Sequence, residues 1–313
     1  MADHFVRPDV AAFLEFLNSQ PGPKMHEVSP DDARQMMVIM TSLAEEEVGQ
    51  LAVIRDIAIP GPAGAIGARL FDARESREAG PVMVFFHGGG FVIGDPDIYA
   101  SYCAEVARQL DMPVISIDYR LAPEHRFPAA AEDCEAAARW VAESPAELGY
   151  SVTGLILSGD SAGGNLTIVT AIALRDHPAK VPVILQHPIY PATSVSTDWQ
   201  SYRDFGEGFL LTRDSMDWFG EQYGWSEGDW RADPLSHDQT NMPPTLITTA
   251  SLDPLSEQGI AYAEKLRASG VLVEHRSAEG NIHGHITLRK AIPSSKDDVV
   301  GNLSALKAML AQL

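Results

Sequence analysis

The stretch Gly159-Asp160-Ser161-Ala162-Gly163 has the residue types and spacing to present a nucleophile. A serine hydroxyl is a weak nucleophile and must be open to both a base and a substrate. A sharp turn from strand to helix gives that access. The turn strains the serine backbone, and it needs small residues two positions to either side, where strand and helix nearly touch. The residue after the serine opens the helix, so the Ala162 N–H is free and faces the site. Taken alone, G-x-S-x-G is a weak signal, because a Gly-rich turn that merely closes a strand-helix unit reads the same way. Its flanks strengthen it: an apolar run over 154–157 precedes it and a helical run over 166–174 follows.

Acyl transfer at such a serine needs donors for an oxyanion, a base and an acid. His87-Gly88-Gly89-Gly90 follows directly after the apolar run 81–86. Glycines there let backbone N–H groups approach a substrate oxygen unobstructed, and the elbow motif calls for such a loop. The N–H groups of Gly88, Gly89 and Ala162 are therefore the expected oxyanion donors. The acid should follow a sheet strand beyond the elbow, and Asp253 does so in Asp253-Pro254-Leu255. A plain helix N-cap with proline in the first turn fits the same residues. Both readings can hold together, since a capping aspartate is held rigid. Asp233-Pro234-Leu235 repeats the tripeptide but precedes its strand, at the wrong end of the sheet, and is read as structural. Glu257 is a weaker alternative acid. The base should come last: His283 lies in the loop 279–284 after a strand over 271–276, and Ser161…Asp253…His283 is the chain order of an α/β-hydrolase. His285 competes with it. The pair His283 and His285 also suggests a metal, but no cysteine or acidic cluster with ligand spacing accompanies it. No metal or organic cofactor is expected.

Strand-helix alternation supplies the frame. Extended runs are expected at 52–59, 68–71, 81–86, 114–118, up to 158, 181–185, 244–249 and 271–276, with helices at 98–110, 129–143, 255–269 and 295–312 between or after them. This order means an α/β protein with a mostly parallel sheet and helices on both faces. Residues from Val10 to about Leu51 read as helical and amphipathic, broken at Pro21-Gly22-Pro23, with Ser29-Pro30 as a helix start. Residues 192–230 interrupt the alternation with aromatics and charge, and Thr212 looks like another helix start. The expected organisation is a catalytic domain over 51–191 and 231–313, with a helical cap in two parts, 1–50 and 192–230.

At 313 residues the chain is long enough for one such domain and its insertion. Lys and Arg number 23 against 43 Asp and Glu, a net charge of −20. That opposes nucleic acid and anionic membrane as partners. The two cysteines, Cys103 and Cys134, read as free buried thiols. The N-terminus lacks a signal-peptide pattern, and no apolar run approaches the ~18 residues needed to span a bilayer. The expectation is a cytoplasmic protein without stable membrane association, compatible with a homodimer.

Together these residues resemble the hormone-sensitive-lipase-like branch of α/β-hydrolase esterases, known in bacteria as family IV. The matching words are His87-Gly88-Gly89-Gly90, Tyr119-Arg120-Leu121-Ala122-Pro123-Glu124-His125 with Phe127-Pro128-Ala129, Gly159 through Asn165, Asp253-Pro254-Leu255 and Ile282-His283-Gly284, in family order across about residues 50–290. The resemblance implies hydrolysis of short- to medium-chain carboxylic esters through an acyl-enzyme, with a two-part cap confining a small-molecule substrate. The segment 119–129 reads as scaffold behind the oxyanion loop. Two positions depart from the pattern: Ser256 stands where a long residue such as arginine is usual, and His285 where phenylalanine is usual. The second puts an ionisable ring beside the catalytic loop. Rival readings are an amidase or lactonase on the same triad, a ligand-binding receptor like the plant gibberellin receptors, which lack the base, and an interaction or storage protein with a vestigial site.

Overall fold

The computed structural model describes residues 4–226 and 228–313. Among them, eight strands form one sheet: β1 (Val53–Gly61), β2 (Gly64–Asp72), β3 (Ala79–Phe86), β4 (Val114–Asp118), β5 (Ser151–Asp160), β6 (Val183–Ile189), β7 (Thr245–Leu252) and β8 (Val273–Ile282). Their order across the sheet is β1-β2-β4-β3-β5-β6-β7-β8. β1 pairs with β2, and β2 with β4, antiparallel; every neighbour from β4 to β8 is parallel. The apolar runs explain the layout. Val82, Phe85, Ile115, Leu155, Leu157 and Leu246 are fully buried, as strands covered on both faces require. The fold is that of an α/β-hydrolase.

Nine helices accompany the sheet among the described residues: α1 (Pro8–Ser19), α2 (Pro30–Ala44), α3 (Ala100–Leu110), α4 (Ala129–Ala142), α5 (Ala162–Asp176), α6 (Gln200–Phe205), α7 (Arg213–Tyr223), α8 (Ser256–Ala268) and α9 (Ser295–Leu310). The starts read from sequence are built as their chemistry suggests. Ser29 Oγ accepts the Asp32 N–H at 3.2 Å at the head of α2, with Pro30 in the first turn. Thr212 Oγ1 accepts the Ser215 N–H at 3.2 Å at the head of α7. Two differences from the sequence reading stand out. β8 continues to Ile282 instead of ending near 276, so His283 directly follows a strand. The short helix α6 has no strong apolar period, and its place is set by tertiary contacts: Ser201 N–H donates to Glu257 Oε2 at 2.8 Å and Ser201 Oγ donates to Pro254 O at 2.8 Å.

A second, smaller core joins distant segments. Val10 and Leu14 of α1, Ala44 at the end of α2, and Phe205 of α6 pack with Leu252, Ile282 and Leu288. Three arginines secure the N-terminal segment. Arg7 pairs with Asp298 at 2.6 Å, and its N–H donates to Gly280 O at 3.2 Å. Arg34 donates to Val92 O, Ala122 O and both oxygens of Glu124. Arg289, itself buried, donates to the buried Glu45 carboxylate at 2.8 Å and to Ser101 Oγ at 2.8 Å. Among the described residues, no helix is long and apolar enough to cross a membrane.

Candidate active site

Four loops leave the carboxyl ends of parallel strands and meet there, as open α/β sheets place their ligand sites. Ser161 turns the chain from β5 into α5 with φ +55° and ψ −115°, a conformation that side chains rarely adopt. The small neighbours are sterically obligatory. A Cβ on Gly159 would lie 2.4 Å from Gly163 O, and one on Gly163 would lie 1.9 Å from Phe86 O. The second contact presses the elbow against the end of β3, where the His87 loop begins. Glycine at both positions therefore has a structural cause.

Ser161, Asp253 and His283, separated by up to 122 positions, come together. Ser161 Oγ–H donates to His283 Nε2 at 2.8 Å, and His283 Nδ1–H donates to Asp253 Oδ2 at 2.7 Å. A carboxylate can only accept, so Asp253 fixes the proton on Nδ1 and leaves the Nε2 lone pair facing the serine. Asp253 is fully buried, and its other oxygen accepts the Leu255 N–H at 2.8 Å. It thus serves the turn into α8 and the imidazole at once. The other acids stay away from the imidazole. Glu257 holds the Ser201 N–H, and the Asp233 carbonyl accepts from Ser236 in its own turn.

The oxyanion assignment needs one correction. The Gly88 N–H is not free: it donates to Asp160 Oδ1 at 2.7 Å. Among the described residues, the N–H groups of Gly89, Gly90 and Ala162 have no protein acceptor, and Gly90 and Ala162 line the cavity that holds Ser161. Gly89 has φ +115°, and a Cβ there would strike Ile93 O at 2.1 Å; its carbonyl accepts the N–H groups of Val92 and Ile93 at 3.1 and 3.0 Å. The loop is braced from behind by the 119–129 segment. Tyr119 Oη donates to His87 O at 2.7 Å, its ring stacks on His87 at 4.2 Å, and the Ala122 N–H donates to Phe91 O at 2.9 Å. Burial pushes His87 down to about 4, so this ring is a neutral strut.

Asp160 was not singled out by the sequence argument. It is buried, and besides Gly88 N–H it accepts from Tyr99 Oη at 3.0 Å and Tyr190 Oη at 3.3 Å. The Tyr190 ring in turn lies 4.6 Å from that of His283. A charged residue inside a Gly-rich elbow was the one available signal. Burial pushes its carboxyl up to about 6, against these donors and the nearby His283. The ordinary aspartate value is about 3.9; below it the protonated group's contribution to stability is full, and that contribution is lost as pH rises through about 6. Asp160→Asn should therefore flatten the fall in Tm between those two pH values, which paired melting curves would show. Asp160→Ala should lower kcat about tenfold, as expected for a lost charged hydrogen bond, by freeing Gly88; an unchanged kcat would contradict the bracing role.

His285 is settled by burial. Its Nδ1–H donates to Ile282 O at 3.1 Å, its Nε2 has no partner, and its ring meets Tyr190 edge-on at 5.2 Å. Desolvation lowers its pKa, so the ring beside the catalytic loop is neutral. His285→Phe should retain activity within about threefold and remove one unsatisfied polar atom. A loss equal to that of His283→Ala, read in the same ester assay, would give His285 the role of base.

The family is shown by comparison. A family described as α/β hydrolase fold matches residues 83–287. The carboxylic ester hydrolase LipN of Mycobacterium tuberculosis is 38% identical over 269 residues, 83% of this chain and 71% of that protein. The ethyl acetate hydrolase of Pseudomonas putida is 31% identical over 317 residues, 97% and 99%. Among solved structures, a thermostable esterase from Pseudomonas putida ECU1011 superposes with a TM-score of 0.92 at 28% identity, covering 99% of both chains. The chain belongs to the α/β-hydrolases, in their hormone-sensitive-lipase-like branch. It is a carboxylic ester hydrolase.

Proposed function

We propose that the chain hydrolyses short- to medium-chain acyl esters of small molecules through an acyl-enzyme on Ser161. His283 Nε2 takes the Ser161 proton as Oγ attacks the ester carbonyl, and Asp253 stabilises the imidazolium that forms. The N–H groups of Gly89, Gly90 and Ala162 receive the oxyanion; Gly90 replaces Gly88 in this set because Gly88 is held by Asp160. His283 then protonates the leaving alcohol, and on deacylation it activates the water that releases the acid. The observation that carries the reading is the unbroken chain of contacts from Asp253 through His283 to Ser161. An intact base also speaks against the receptor reading.

The helices of 1–50 and 192–230 form a cap over the site in this proposal. Support comes from the residues of 192–230 that line the cavity beside Ser161, and from the shared core of α1 and α6. The cavity measures about 480 Å³, in the lower half of the range of roughly 300–1,000 Å³ typical of small-molecule sites. Such a space suits short acyl chains. A panel of nitrophenyl esters of increasing chain length, with and without a serine-directed phosphonate, tests both claims. Turnover should be lost beyond medium chains and abolished by the phosphonate; a preference for long chains, or activity that survives the inhibitor, would refute them. A matched ester and amide at equal concentration separate the amidase alternative.

A further inference from the structure

Two acidic residues are among those that line the cavity in front of Ser161. Asp217 and Glu221 stand four positions apart on α7 and both line it, as neighbours on one helical face. No lysine, arginine or histidine is among the lining residues. Asp217 accepts from Tyr202 Oη at 3.2 Å, and among the described residues neither carboxylate forms an ion pair. Phe219 and Trp225 are among the aromatic residues that line the same space. Phe219 lies over the oxyanion loop, so close that a Cβ on Gly90 would sit 2.3 Å from its ring. Trp225 is held edge-on by Phe91 at 5.1 Å and by Tyr223 at 4.8 Å, which fixes its orientation. Carboxylates and aromatic rings that line one cavity are the chemistry that receives an organic cation, by charge and by attraction to the ring quadrupole.

We propose that this cavity selects esters by charge: it favours those carrying a cationic group, such as a quaternary ammonium or protonated amine, and disfavours those carrying a carboxylate. The inference rests on ester hydrolysis at Ser161. The protein's overall charge of −20 steers ligands in the same direction, so the contribution of α7 must be isolated by substitution. Two fixed charges at a hydrated wall are expected to separate a cation from an anion by about tenfold in kcat/KM at low ionic strength. Salt should narrow the gap, since screening is strong at the mouth of a cavity.

The test compares three acetate esters of similar size: acetylcholine, its uncharged dimethylbutyl analogue and the acetoxypropionate anion. Acid release gives kcat/KM for the wild type and for an Asp217→Asn/Glu221→Gln variant, each read as the cation-to-anion ratio within one enzyme. The expected ratio is about ten or more in the wild type, falling to about threefold or less in the variant. A wild-type ratio near one, or a ratio undiminished in the folded variant, overturns the proposal. Both residues are exposed; should the double variant still fail to fold, Asp217→Asn and Glu221→Gln tested singly must each lower the ratio, and the proposal falls if neither does. Failure of the wild type to hydrolyse both the uncharged ester and nitrophenyl acetate would instead overturn the reading of Ser161 as the nucleophile for short esters.

Discussion

Ser161→Ala should leave the fold intact and reduce kcat for nitrophenyl esters by about 10⁶, the scale seen when the nucleophile of a serine hydrolase is removed. The substitution deletes one oxygen. It keeps a Cβ in the strained turn, where φ is +55°, and leaves His283 hydrogen-bonded to Asp253. Far-ultraviolet circular dichroism and the melting temperature should therefore match the wild type while turnover disappears. Substrate binding should survive, because the cavity walls and the free N–H groups of the loop are untouched. Residual turnover within about a hundredfold of the wild type would mean that another group attacks the ester.

Asp253→Asn is the second large expected effect, a fall in kcat on the order of 10⁴ by analogy with the serine protease case. An amide at this position can donate to His283 Nδ1, which then carries its proton on Nε2 and offers Ser161 no lone pair. The second oxygen of Asp253 accepts the Leu255 N–H, so the asparagine must also keep an acceptor there or lose that turn contact. Stopped kinetics with unchanged KM would mark loss of the transition-state contribution over loss of binding. Asp233→Asn, in the repeated tripeptide, is the control and should change kcat less than twofold; equal damage at both positions would move the acid to Asp233.

The sheet, the order of its helices and the meeting of Ser161, Asp253 and His283 were legible because each rests on a local pattern. A continuous apolar run marks a doubly covered strand, and the elbow glycines mark a backbone approach that any side chain would block. What sequence could not supply was set by contacts between remote segments. The Gly88 N–H looks free until Asp160, 72 positions on, takes it. His285 looks ionisable until the packing of Ile282 and Tyr190 dries its surroundings. Gly280 and Asn281 read as loop residues, so the sequence alone ends β8 short of Ile282. In the structure Gly280 N–H is held by Ser251 Oγ at 2.7 Å, and Asn281 Nδ2 donates to Asp298 at 2.8 Å and to Ser295 at 3.0 Å. Arg7, 272 positions from Glu279, closes over the same strand. No periodicity records such pairings.

The most direct test is to treat the folded protein with a fluorophosphonate and map the adduct by peptide mass spectrometry, for the wild type and for His283→Ala. One adduct per chain is expected, on Ser161, formed far more slowly when His283 is removed. An adduct on a different residue, or rapid labelling of Ser161 without the imidazole, would contradict it.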